Sequence, residues 1–260
     1  MLRIGALTDV GRMRSVNEDA VSLTDLVTGW SASGGNIQDS RRTRAAVVGV
    51  YDGTGSAGPE ASASHHAARI FCERMAAPPA PASGAELSQR LQETTHAAHD
   101  AVYEVSARSR VGSGTTATIA AIAGAEVAIV HVGDSRGYLF SGGALRQVTR
   151  DDTLVRELIE AGHLTPAEAA TFPHRNVVTR VLGFTGRLDS LPITSLSLRP
   201  GDVLLLCTDG IWGMVDDAAI AAILAAQPDP AAACRALIEA ANDAGGPDNA
   251  SAVVSVYDQE

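Results

Sequence analysis

Two aspartates stand where apolar runs stop, and a third stands just before one begins. Ala46-Val47-Val48-Gly49-Val50-Tyr51 runs into Asp52-Gly53-Thr54-Gly55-Ser56, and Val203-Leu204-Leu205-Leu206-Cys207-Thr208 runs into Asp209-Gly210. Ala244-Gly245-Gly246-Pro247 leads into Asp248-Asn249, just ahead of a final apolar segment. A short apolar, β-branched run closed by glycine reads as a buried strand, so Asp52 and Asp209 are delivered to the rim of a core. Carboxylates on rigid strand ends, far apart in sequence, are the ligand set a hard divalent cation requires, because Mg²⁺ and Mn²⁺ prefer oxygen donors. Taken singly, each Asp-Gly pair is also a turn signal.

Other chemistry is suggested and then set aside. Gly53-Thr54-Gly55-Ser56-Ala57-Gly58 fits GxGxxG, but a dinucleotide fold needs a second parallel strand ending in an acid about 20 residues on. Here a helical stretch runs into the Pro-rich segment 76–84 and then a second helix. Gly133-Asp134-Ser135-Arg136-Gly137 fits GxSxG, yet a nucleophile elbow must enter a helix. Tyr138-Leu139-Phe140 followed by Ser141-Gly142-Gly143 instead predicts a hairpin. His96 and His99 share a helix without a third His or Cys nearby and read as surface or interhelix residues. Cys72, Cys207 and Cys234 have no metal or disulfide spacing.

The elements that must position the acids alternate in blocks. Strands are predicted at 3–8, 19–27, 46–51, 115–123, 126–132, 137–148, 192–198, 202–208 and 250–257. Helices are predicted at 59–76, 85–108, 152–162, 165 onward, 216–226 and 230–242. Thr165-Pro166-Ala167-Glu168 has the N-cap, the first-turn proline and the glutamate of a capping box. The polar, Gly/Ser-rich stretch 28–43 predicts a flexible loop, regulatory or merely solvated. Clustered strands followed by helix pairs, without sustained βαβ alternation, indicate an α+β fold with helix layers flanking mainly antiparallel sheets.

Composition narrows the function. The 260 residues are 45% hydrophobic and 19% charged, as expected of a soluble globular chain that suits one large domain or two small ones. The formal charge of −10 argues against a nucleic-acid partner, which needs a cationic footprint. No apolar run reaches the roughly 18–20 residues of a membrane span, and the N-terminus lacks the pattern of a signal peptide, which points to the cytoplasm.

Six blocks in order, TDVGRMRSVNEDA, VYDGTGS, GSGTTAT, VHVGDSRGYLF, CTDGIW and GGPDNAS, together resemble the metal-dependent protein phosphatases of type 2C, bacterial branch. The resemblance covers nearly the whole chain. It implies a single phosphatase domain over 1–260: a four-layer αββα sandwich of two antiparallel sheets flanked by helix pairs, with a helical flap at about 148–185. It implies two Mn²⁺ or Mg²⁺ ions and a third, weaker one. Asp52 would bridge the core ions, the Gly53 carbonyl would complete one site, Asp209 and Asp248 would hold the other ion, and Glu18 would reach the first through water. Asp134 with Asp209 would form the third site, and Arg14 would clamp the substrate phosphate. Arg14, Asp52 and Asp209 would then be the catalytic set.

The implied activity is hydrolysis of phosphoserine and phosphothreonine by direct attack of a metal-bridging water. The partners would be phosphorylated proteins, substrates of a serine/threonine kinase, and the chain a monomer. Two ions sharing one water lower its pKa and aim it at phosphorus, and an arginine adds a planar fork suited to phosphate. The departures are Thr54 and Ser56. The family usually carries His or Met at the first and Gly at the second, and Thr54 cannot serve as general acid near neutral pH. Together with the polar stretch 28–43, they motivate the alternative of a catalytically weak phosphoprotein-binding regulatory module of the same fold.

Overall fold

The computed structural model describes residues 1–34, 39–54, 62–78, 83–108, 112–184, 188 and 191–258. Strands β1 (Leu2–Asp9), β2 (Ala20–Asp25), β3 (Ser31–Gly34), β4 (Asp39–Thr43), β5 (Ala45–Tyr51) and β6 (Gly53–Thr54) precede helices α1 (Ala63–Ala76) and α2 (Gly84–Arg108). Next come β7 (Gly114–Thr115), β8 (Ala117–Ala123), β9 (Glu126–Val132), β10 (Arg136–Ser141) and β11 (Ala144–Gln147), and then α3 (Leu154–Glu160) and α4 (Pro166–Ala170). The chain continues through β12 (Ile193–Ser197), β13 (Val203–Cys207), α5 (Asp209–Trp212), α6 (Asp217–Ala226), α7 (Pro230–Asp243) and β14 (Ala250–Tyr257).

Two six-stranded sheets, ordered β11-β10-β13-β14-β1-β4 and β12-β9-β8-β5-β2-β3, stack face to face. Their neighbouring strands pair antiparallel. The apolar runs explain the layering. In β5, Ala46, Val48 and Val50 face the other sheet, while Val47 and Tyr51 face α1 and α2. In β13, Leu204 and Leu206 face the sheet interface, while Val203, Leu205 and Cys207 face α5, α6 and α7. A strand buried on both faces loses the polar half of its alternation, which is why these segments read as continuous apolar runs. The result is the expected four-layer αββα sandwich with three cores.

The stretch 28–43 differs from the expected loop. β3 pairs with β2, and β4 pairs with β1, each at the edge of its sheet. Edge strands need only one row of backbone partners and favour polar side chains on their open side, so their composition resembles that of a loop. Arg41 lies over the Trp30 ring at 3.4 Å, covering one of the few aromatic side chains near that edge. The predicted first helix is present from Ala63, while residues 59–61 lie outside the described set.

The expected 137–148 strand is a hairpin, with Gly142 (φ 58°) and Gly143 (φ 84°) in the left-handed turn. That geometry rules out the hydrolase elbow: Ser135 is fully buried and its Oγ is 2.7 Å from Thr116 Oγ1. The capping box at Thr165 and Glu168 forms as predicted. His96 is exposed and His99 buried, and the Gly183 N–H donates to His99 Nδ1 at 3.2 Å, so the two histidines do not share a ligating face. Among the described residues no helix is long and apolar enough to cross a membrane.

Candidate active site

A cleft of about 460 Å³ opens at one end of the sheets, lined by Arg14, Glu18, Asp52, Gly53, Thr54, Thr116, Asp134, Asp209, Asp248 and Asn249. Asn176, Val178, Val181 and Phe184 form its remaining wall. Every residue singled out as a site candidate from sequence therefore faces the same space. Ser56 and Gly55 lie outside the described residues.

Asp52 follows β5 and is locked from both sides by Thr116. The Asp52 N–H donates to Thr116 Oγ1 at 3.0 Å, and the Thr116 N–H donates to the Asp52 carbonyl at 2.8 Å. Asp209 opens α5 directly after β13, with Thr208 at the N-cap position. Gly210 is required there: a Cβ on it would sit 1.9 Å from the Asn249 carbonyl oxygen, so α5 packs directly on the backbone that carries Asp248. Asp248 accepts from Arg14 Nη2 at 2.8 Å and from the Asn249 N–H at 2.9 Å. Asp134 is buried in the turn after β9, where Gly133 has φ 107°.

Sequence reasoning missed the residues that brace this set. The Asn249 side chain donates to the Val10 and Val16 carbonyls and accepts from the Glu18 N–H at 2.8 Å, so it moulds the loop that presents Arg14 and Glu18. Asp19, fully enclosed, accepts from Thr208 Oγ1 at 2.9 Å and from Ser251 Oγ at 2.7 Å, joining β2 to the ends of β13 and β14. Thr116, Asn249 and Asp19 lie inside the matching blocks; Asp19 and Asn249 are adjacent to the candidates Glu18 and Asp248, whereas Thr116 gives no such local signal.

The electrostatics are those of crowded anions. Burial pushes Asp52 well above the usual carboxylate range, and Asp19, Asp209 and Asp134 push it further. Burial also raises Asp209, with Asp248 adding to it, although its hydrogen bond with Asp52 pulls the other way. Asp134 is pushed up to about 7 by burial together with Asp209 and Asp151. Asp19 is pushed up to about 7 by burial, against the hydrogen bonds from Ser251 and Thr208. Asp209 Oδ1 is shut off from solvent with no hydrogen-bond donor among the described residues.

Such a cluster costs free energy unless positive charge meets it. One arginine at the rim, half exposed and paired with Asp248, is too little. The acids surround the cleft; among the described residues no three metal-binding side chains close on a single point. An all-oxygen, multiply anionic set with an orphan buried oxygen nevertheless fits hard divalent cations better than any other class. Cys207 is buried behind Asp209 with its thiol raised by burial, a packing residue as expected.

The wall beside the acids is tied to the same elements. Asp152 Oδ2 accepts from the Gly133 N–H at 3.1 Å, and Thr179 and Asp152 are linked through their backbones at 2.8 Å. Arg136 pairs with Asp151 at 2.7 Å and stacks over Trp212 at 3.7 Å, connecting the root of the helical segment to the end of α5.

A family model described as Protein phosphatase 2C matches residues 31–242. The chain is 33% identical over 257 residues to the serine/threonine protein phosphatase PstP of Mycobacterium tuberculosis, covering 98% of this chain and 45% of that protein. The chain thus spans less than half of the length of that relative. It is 32% identical over 244 residues to the serine/threonine phosphatase stp of Listeria innocua, covering 93% of this chain and 90% of that one. The solved catalytic domain of PstP in complex with 2 manganese ions superposes with a TM-score of 0.75 at 31% identity, over 98% of this chain and 97% of that one. The chain belongs to the protein phosphatase 2C family.

Proposed function

We propose that the protein is a metal-dependent phosphatase that hydrolyses phosphoserine and phosphothreonine on proteins, with the whole of 1–260 as one catalytic domain and 148–185 as its flap. The observation that carries this reading is the gathering of Glu18, Asp52, Asp134, Asp209 and Asp248 around one cleft with Arg14 at its rim. In this reading Asp52, the Gly53 carbonyl, Asp209 and Asp248 would hold two Mn²⁺ or Mg²⁺ ions, Glu18 would contribute through water, and Asp134 with Asp209 would offer a third, weaker place. When bound, such ions neutralise the phosphoryl oxygens and supply an activated water for in-line attack.

The chain's own residues do the rest. Thr116 holds Asp52 at both its amide and its carbonyl, so the carboxylate is preorganised. Arg14 keeps one N–H on Asp248 and has further donors to offer a phosphate, so its ion pair orients the fork without exhausting it. Thr54 is exposed in the cleft and can donate a hydrogen bond, while the proton for the leaving alkoxide comes from another source. Phosphoproteins made by a serine/threonine kinase are the proposed substrates, with the chain acting as a monomer in the cytoplasm. Support comes from the phosphatase names of the relatives and from the manganese complex of PstP.

The test is phosphate release from a phosphothreonine peptide with Mn²⁺ and again after chelation. Turnover that requires Mn²⁺ and disappears in Asp209→Ala is expected. Tight peptide binding without turnover, and no heat of Mn²⁺ binding, would instead identify a phosphoprotein-binding module.

A further inference from the structure

Leu182 is fully buried, yet Phe184, two residues on, is 62% exposed. A lone exposed aromatic needs no explanation. This one stands with Val178 and Val181 on one wall of the acid-lined cleft, and Val177 beside them is 43% exposed.

The backbone that leads into the ring is held in place. The backbones of Thr115 and Leu182 bond reciprocally at 2.8 and 3.2 Å. Gly183 has φ 82°, and Val102 Cγ1 would lie 2.2 Å from any Cβ placed there, so the chain is clamped onto α2 immediately before Phe184. The ring itself lies along the glycines of Gly112-Ser113-Gly114. A Cβ on Gly114 would be 3.6 Å from Phe184 Cδ2, and one on Gly112 would be 3.7 Å from Cε2. Gly114 is the register partner of Thr54, two residues from Asp52. The apolar wall therefore stands directly beside the acids.

We infer that Val178, Val181 and Phe184 form a subsite for an apolar side chain flanking the phosphorylated residue of the substrate protein. The inference rests on the phosphatase reading and adds sequence selectivity to it. The cleft's volume of about 460 Å³ corresponds to roughly fifteen waters, more than a phosphoryl group occupies. Arg14 and the acids, with their ions, serve the charged end. Apart from the Asn176 amide, the side chains of this wall, Val178, Val181 and Phe184, are apolar, and covering them with an aliphatic group removes apolar surface of both partners from water. A neighbouring side chain within two positions of the phosphorylated residue in an extended segment is the occupant of matching chemistry. A free small phosphate ester brings no such group.

The experiment compares kcat/KM for two phosphothreonine peptides, one flanked on both sides by leucines and one by serines, in Mn²⁺. The wild type is expected to prefer the leucine peptide about tenfold, mainly through KM. In Phe184→Ser the ratio of the two constants should fall to within about twofold of unity, and Phe184→Leu should keep most of the preference. A wild-type ratio near unity, or a ratio that Phe184→Ser leaves intact, overturns the subsite alone. Absence of turnover on both peptides overturns the phosphatase reading and the subsite with it.

Discussion

Asn249 holds the loop 10–18 by three hydrogen bonds, yet it brings no charge to the cleft. Its loss therefore separates positioning from ligation. Asn249→Ala should weaken the apparent Mn²⁺ affinity about 10- to 100-fold, as expected for a group that orients ligands, while saturating Mn²⁺ restores much of kcat. A Mn²⁺ titration of phosphopeptide turnover measures this. Arg14→Lys should lower kcat/KM by about tenfold or more even with its charge retained, because the planar fork that holds Asp248 and, in the proposed function, a phosphate is gone. Kinetics on one phosphothreonine peptide check it. At this scale the acids were the legible part, because Asp52 and Asp209 end strands buried on both faces. Their braces were not. Thr116 meets Asp52 across 64 positions and Asn249 meets Glu18 across 231, and no local pattern encodes such a contact.

Among the elements, α5 is short and carries the most. It begins at Asp209, leans on β14 through Gly210 and ends at Trp212 beneath Arg136. Gly210→Ala must push Asn249 and its backbone aside, so a loss of about 1–3 kcal/mol or more is expected, together with loss of activity. Thermal or denaturant unfolding of the purified variant measures the first quantity. This helix of four residues was invisible to periodicity, which needs two or three turns to register. The edge strands β3 and β4 were missed for a different reason. Ser31-Ala32-Ser33-Gly34 and Asp39-Ser40-Arg41-Arg42-Thr43 take their order from pairing with β2 and β1, not from an apolar face of their own. The long amphipathic helices α1, α2 and α7 and the capping box of α4 were legible, because spacing and capping are local properties.

For the whole molecule, two sets of carboxylates act in opposite senses. Asp25 is buried, which raises it, but donors from Val27, Thr43 and Thr28 outweigh burial and hold it below its ordinary value. A depressed pKa contributes stability above the unfolded value of about 3.9 that is lost as pH falls through the folded one. Asp25→Asn should therefore narrow the stability difference between about pH 6 and pH 3, as read by urea unfolding at both. The acids of the cleft are the converse, a cluster whose mutual repulsion a cation relieves. Mn²⁺ at about a hundred times its Kd should stabilise the fold by about 2.7 kcal/mol, a Tm rise of roughly 5–10 °C that chelation reverses. The sandwich as a whole followed from the sequence because its three cores are written in apolar strands and helix faces, whereas the docking of residues 152–183 on Gly133, Thr115 and Val102 depends on contacts between residues distant in the chain.

In the proposed function, Asp52, Asp209 and Asp248 would hold the metal. Anomalous diffraction at the manganese edge from a crystal grown with Mn²⁺ tests it most directly. Strong peaks are expected inside the cleft, bonded to Asp52, Asp209 and Asp248 and abolished or displaced in Asp52→Ala. A cleft without manganese, or manganese held by residues outside this set, would contradict it.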